Sequence, residues 1–137
     1  MKEIIKGYIK NQRIFKGYTL KKFLGEGGYG QVFLVEDSGG DPYALKVLHK
    51  GDIEEARGAD SVMNIRSERL VRIEDHGKTI SGKNCLLMEY LPLNLEKVIR
   101  EGALKEEEAR GYFIEILKGL KVLEAHHIVH RDIKPDN

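Results

Sequence analysis

Gly25-Glu26-Gly27-Gly28-Tyr29-Gly30-Gln31-Val32-Phe33-Leu34-Val35-Glu36 is the stretch on which the fold turns. It matches G-x-G-x-x-G-x-V, in which glycines let backbone N–H groups approach phosphate oxygens with no Cβ in the way. Two unrelated folds share the six-residue core. A dinucleotide-binding unit must pass from the glycines straight into a helix, so that a pyrophosphate sits on the helix N-terminus. Here the next residues are Val32, Phe33, Leu34 and Val35, two of them β-branched and one aromatic, followed by the turn-rich Asp37-Ser38-Gly39-Gly40-Asp41-Pro42. The pattern predicts a flap between two strands. Gly25, Gly27, Gly28 and Gly30 are its candidate phosphate-binding residues.

On either side of the flap the strand pattern continues. Residues 18–24 roughly alternate between apolar and polar, and Tyr43-Ala44-Leu45-Lys46-Val47-Leu48 reads as a third strand. Three short strands joined by turns, with no helix between them, indicate an antiparallel meander. Asp52 then has the look of a helix N-cap, with Glu55 at capping-box distance, and the helix should run to Val62 or Met63 despite Gly58. Strands are expected over 70–76 and 85–90, joined by the turn-forming 77–84. Asn94 is placed to cap a short helix over 95–100, closed by Gly102. Ala109, Tyr112, Phe113, Ile116, Leu117, Leu120 and Leu123 then recur at three- and four-residue steps, the mark of a long amphipathic helix with Glu106–Glu108 in its first turn. Residues 1–17 read as a short leader of unknown role.

The composition is that of a globular chain: 137 residues, 41% hydrophobic and 33% charged. With 23 basic against 22 acidic residues the net charge is +1, which gives no electrostatic footprint for nucleic acid or an anionic membrane. The single cysteine, Cys85, has no intramolecular disulfide partner and fits a reducing compartment. No apolar run approaches the roughly 20 residues of a spanning helix. The expectation is a soluble cytoplasmic protein.

Lys46 lies inside the apolar third strand. An ammonium there is costly to bury unless an anion meets it, and phosphate oxygens or a helix carboxylate are the obvious anions. Glu55 is the candidate carboxylate and Glu54 the alternative, although Glu55 could instead only close the capping box. His130-Arg131-Asp132-Ile133-Lys134-Pro135-Asp136-Asn137 is the most specific signal in the chain. Phosphoryl transfer needs a carboxylate that orients the incoming hydroxyl, with a neutral oxygen ligand for Mg²⁺ beside it. Asp132 suits the first role and Asn137 the second. Lys134 is placed to meet charge developing on the transferred phosphate.

With these three motifs in order, the chain resembles the eukaryotic-type serine/threonine protein kinase family over residues 18–137, nearly everything present. The resemblance implies an α+β fold: a five-stranded antiparallel N-lobe sheet with one regulatory helix, together with the hinge, over 18–91, then the first C-lobe helices ending in the catalytic loop over 92–137. It implies ATP and Mg²⁺ as cofactors and a protein substrate. By the same likeness Leu24 and Val32 cover the adenine and Ala44 lines its pocket. Met88 then corresponds to the gatekeeper, and the backbones of Glu89 and Leu91 to the hinge. Lys134, two residues after Asp132, is similar to the serine/threonine branch rather than the tyrosine branch.

Two departures from the family pattern set further expectations. Counting back from Leu70-Val71 by the usual helix spacing lands on Gly58 rather than a glutamate, so either an insertion of about one turn precedes Leu70 or the helix ion pair is missing. The D-F-G aspartate and the activation segment do not follow Asn137 in this sequence. The chain alone is therefore expected to bind ATP weakly, to transfer no phosphate, and to self-associate through the apolar face of the long helix. The alternative reading is a non-catalytic nucleotide-binding or docking module.

Overall fold

The computed structural model describes residues 1–49 and 53–137, with only the backbone described at 53–56. The chain divides into two compact units. One comprises Met1–Arg66 and Val71–Tyr90, the other Ser67–Leu70 and Leu91–Asn137.

The first unit is built on a six-stranded antiparallel sheet. Its strands are β3 (Arg13–Phe15), β4 (Tyr18–Gly27), β5 (Gly30–Glu36), β6 (Pro42–Leu48), β7 (Ile73–Lys78) and β8 (Asn84–Glu89), in the order β3-β4-β5-β6-β8-β7. Five of the six are the strands expected from the sequence, with ends shifted by a few residues. The sixth, β3, comes from the segment read as a leader. That segment also forms a separate hairpin, β1 (Ile4–Ile5) with β2 (Tyr8–Ile9). Its two-residue turn places Lys6 at φ 49° and Gly7 at φ 87°, the left-handed conformations that tight hairpin turns demand.

Register divides the sheet into two chemically distinct faces, because directly paired residues point the same way and neighbours along a strand point oppositely. Phe33 pairs with Leu45, which pairs with Leu87; Val47 pairs with Cys85. These residues are buried together with Val35 and Leu20, and the cover over them is Tyr8, Ile14 and Phe15. The Tyr8 ring meets Phe33 edge-on at 5.7 Å. Its hydroxyl lies 2.7 Å from Ser81 Oγ, and Ile80 N–H donates to the Ile14 carbonyl at 2.9 Å, so the N-terminal segment also grips the β7–β8 turn. Residues 1–17 are thus an integral layer of the first unit. Burial pushes the Cys85 thiol up to about 12, which leaves it unionised at neutral pH.

Helix α1 (Ile53–Met63) packs against β7 and β8, burying Ala59, and Asp60 Oδ1 lies 2.7 Å from His76 Nε2. The Asp52 cap falls outside the described residues. Strand β7 starts later than the expected residue 70, since Ser67–Leu70 belongs to the second unit.

In the second unit, α2 (Leu95–Glu101) is capped as its sequence suggests. Asn94 Oδ1 accepts from Lys97 N–H at 2.9 Å, and Gly102 follows the last turn. Helix α3 (Glu106–Ala125) carries three glutamates in its first turn, and Glu108 accepts from the Lys105 N–H at 3.0 Å. Gly119 lets α3 approach Arg69: a Cβ there would lie 3.1 Å from the Arg69 carbonyl oxygen. The apolar stripe is graded along the helix. Leu123 is 6% exposed, Ile116 and Leu120 are half-buried, and Phe113 is 62% exposed. Among the described residues, no helix is long and apolar enough to cross a membrane.

Candidate active site

The glycine stretch forms a strand–turn–strand flap with no helix after Gly30, as its β-rich continuation requires. Gly25 pairs with Val32, Glu26 with Gln31 and Gly27 with Gly30 across the β4–β5 hairpin. Its glycines have two different reasons to exist. A Cβ on Gly30 would sit 2.3 Å from the Val47 carbonyl oxygen, so that glycine serves packing of the flap base on β6. A Cβ on Gly25, Gly27 or Gly28 would meet nothing within 4 Å. Packing among the described residues does not require those three glycines. They leave room for a phosphate oxygen to reach backbone N–H groups.

Lys46 stands on the sheet face opposite the aromatic core. Val32 pairs with Lys46, which pairs with Leu86; Leu34 pairs with Ala44, which pairs with Met88. One face therefore carries Val32, Ala44, Lys46 and Met88, four of the expected nucleotide residues. Lys46 Nζ lies 5.5 Å from the centroid of the Tyr29 ring at the flap tip. Leu24 is exposed at an irregularity in β4, between Phe23 and Gly25. At the end of β8, the Glu89 N–H donates to the Arg72 carbonyl at 2.9 Å, and the Glu89 carboxylate accepts from Arg72 N–H at 2.7 Å. A hydrogen bond from the Glu89 backbone to a purine would therefore use its carbonyl. Leu91, exposed, opens the second unit. Glu54 and Glu55 lie in α1, and their side chains fall outside the described residues, as does the assignment of a helix partner to Lys46.

His49 escaped the sequence reading. Its Nε2–H donates to the Gly27 carbonyl at 3.1 Å, while its backbone N–H donates to the Tyr29 carbonyl at 3.1 Å. One residue just beyond β6 thus holds both sides of the flap tip. No sequence signal marks it, because a lone histidine after a strand carries no period.

The second unit holds the catalytic-loop residues. Asn137 Nδ2 donates to Asp132 Oδ2 at 2.9 Å and to the Asp132 carbonyl oxygen at 2.6 Å. Lys134 Nζ lies 3.7 Å from Asp132 Oδ2 and 3.6 Å from Asp136 Oδ2. The Asp132 N–H donates to His130 Nδ1 at 3.2 Å. The Asn137 amide, with help from the Lys134 ammonium, holds the Asp132 carboxyl below the usual aspartate range, against a partial desolvation. The loop is anchored to α2, where Glu96 N–H donates to the Pro135 carbonyl at 2.8 Å and Asn94 Nδ2 to the Asp136 carbonyl at 3.3 Å.

The donor chemistry suits Mg²⁺. With Nδ2 committed to Asp132, Asn137 has Oδ1 left as a neutral oxygen ligand, the hard donor that this ion prefers. Among the described residues, no cluster of three His, Cys, Asp or Glu could hold a metal by itself.

The chain is 33% identical over 130 residues to the probable serine/threonine protein kinase IREH1 of Arabidopsis thaliana, a match covering 88% of this chain and 10% of that protein. It is 33% identical over 135 residues to the serine/threonine-protein kinase RIM15 of Saccharomyces cerevisiae, covering 89% and 8%. The chain thus spans about a tenth of the length of these relatives. The fold matches the crystal structure of the M. tuberculosis PknI kinase domain with a TM-score of 0.80 at 21% identity, over 93% of this chain and 55% of that one. The family described as the protein kinase domain matches residues 18–137. The chain belongs to the protein kinase family.

Proposed function

We propose that this chain supplies the nucleotide-binding and catalytic-loop elements of a serine/threonine protein kinase, which transfers the terminal phosphoryl group of ATP to a protein hydroxyl. The observation that carries this reading is the Asp132–Asn137–Lys134 cluster: an ionised carboxylate held by an amide, with an ammonium alongside. Asp132 orients the incoming hydroxyl and accepts its proton. Lys134 stabilises charge that develops on the moving phosphoryl group. Gly25, Gly27 and Gly28 offer backbone N–H groups to phosphate oxygens, and Lys46 offers its ammonium. Val32, Ala44 and Met88 present an apolar surface to the base, with Leu24 at the edge of the flap and the Glu89 and Leu91 backbones as its hydrogen-bonding partners. Bound Mg²⁺ neutralises phosphate charge, and Asn137 Oδ1 is the residue that would hold it. The similar proteins, which are named as serine/threonine kinases, and Lys134 two positions after Asp132 favour serine and threonine as acceptors.

Two measurements test this. MgATP titrated calorimetrically into the chain should bind, and Lys46→Met should weaken binding at least tenfold while Asp132→Asn leaves it within about twofold. In the natural polypeptide, labelled ATP should phosphorylate serine peptides but not tyrosine peptides, and Asp132→Asn should abolish the transfer. MgATP binding without any transfer by that polypeptide would assign it instead to the non-catalytic nucleotide-binding modules. Absence of MgATP binding would remove both readings.

A further inference from the structure

The flap has a structural difficulty of its own. Four of its six residues from Gly25 to Gly30 are glycines, which gain the most backbone entropy when released. Beside the two backbone carbonyls that His49 holds, Glu26 and Tyr29 are therefore the side chains that the flap itself offers for a grip. Glu26 is also a carboxylate set between two glycines read as phosphate-binding, where a negative charge repels the ligand.

Both problems meet one residue. Lys6 Nζ lies 3.3 Å from Glu26 Oε2 and 4.9 Å from the centroid of the Phe23 ring, so it spans the flap's outer strand. Gln31 Nε2 donates to the other carboxylate oxygen at 3.2 Å. Lys6 is not on a loose tail. It occupies the first position of the β1–β2 turn, and the Tyr8 side chain two residues later is buried against Phe33 and bonded to Ser81.

We propose that Lys6 is a positioning residue for the nucleotide flap: the N-terminal hairpin carries its ammonium to Glu26, where it holds the flap tip and neutralises a carboxylate that would oppose phosphate. This rests on the reading of residues 25–30 as a nucleotide flap, but its first consequence concerns the flap alone. The pair is solvent-accessible, with side-chain exposures of 45% and 39%, so its effect is local ordering rather than global stability.

Amide hydrogen exchange across residues 25–30 of the nucleotide-free chain is the test. Lys6→Asn keeps a residue that tolerates the left-handed turn while removing the cation. It should speed exchange at these amides by about twofold or more, with exchange in β6 and β8 unchanged. Lys6→Glu should do so more strongly, and the reversed pair Lys6→Glu with Glu26→Lys should restore protection. Lys10→Ala, which breaks a 2.7 Å pair with Glu3 in the same hairpin, should leave the flap unaffected. The proposal is overturned if flap exchange is unchanged in both Lys6 variants, or if Lys10→Ala accelerates it equally. MgATP affinity should fall in Lys6→Asn in parallel with lost protection. A wild-type chain that shows flap protection dependent on Lys6 but binds no MgATP would overturn the nucleotide reading and leave the brace standing.

Discussion

Asn137 grips Asp132 twice through a single nitrogen, at 2.9 Å to the carboxylate and 2.6 Å to the backbone carbonyl. The five-residue spacing between these two residues therefore closes the catalytic loop on itself. The same contact favours the ionised form of the carboxylate and aims the remaining amide oxygen of Asn137 elsewhere.

Asn137→Ala should raise the pKa of Asp132 toward the ordinary aspartate value, because the amide is the largest cause of its depression. The folded-state value lies below the unfolded one. Any stability it contributes is complete above the unfolded pKa and is lost as pH falls through the folded pKa, so neutral pH is untouched. Carboxyl carbon NMR titration of both proteins checks this, and identical titration curves would contradict it.

Two glycine substitutions in one loop should separate folding from binding. Gly30→Ala forces a Cβ to within 2.3 Å of the Val47 carbonyl and should destabilise the first unit by about 1–3 kcal/mol or more. Gly28→Ala meets open space, so thermal unfolding should be nearly unchanged while MgATP affinity drops. Equal unfolding temperatures for the two variants would show that the distinction drawn between these glycines is mistaken.

Phe15 is fully buried under the sheet although it lies in the N-terminal segment. Phe15→Ala should cost about 3–5 kcal/mol in urea unfolding, as for any large core truncation. Removing residues 1–17 should go further and expose Leu20, Phe33 and Val35, giving aggregation in place of a cooperative transition. A truncated chain that unfolds as cooperatively as the whole would mean the segment is dispensable.

Asn94 both caps α2 and reaches the catalytic loop at the Asp136 carbonyl. Asn94→Ala should cost about 1 kcal/mol, the usual worth of a cap. Asn94→Ser keeps a capping oxygen but has no amide donor to reach Asp136. Faster exchange at residues 134–137 in both variants, with α2 stability retained only in Asn94→Ser, is the expected pattern.

The motifs were legible because each is a run of nearby residues whose chemistry depends on spacing alone. Val32-Phe33-Leu34-Val35 after the glycines excluded a helix, and the Asn94 cap followed from its position before an amphipathic turn. The N-terminal segment was not legible in the same way. Its strands are two or three residues long, too short to show a period, and Lys6, Lys10 and Lys16 punctuate them. Its burial comes from partners such as Phe33 and Ser81, far along the chain.

The sequence by itself determined the family and the strand–flap–strand geometry, and it singled out the candidate phosphate-facing and catalytic-loop residues, since these are local patterns of backbone freedom and side-chain chemistry. Only the tertiary structure decided that residues 1–17 form the cover of the core, that Gly30 differs in purpose from Gly28, and that His49 and Lys6 hold the flap. Those outcomes depend on which distant surfaces meet when the sheet closes, and hydrophobic burial selects such partners without leaving any mark on their spacing in the chain.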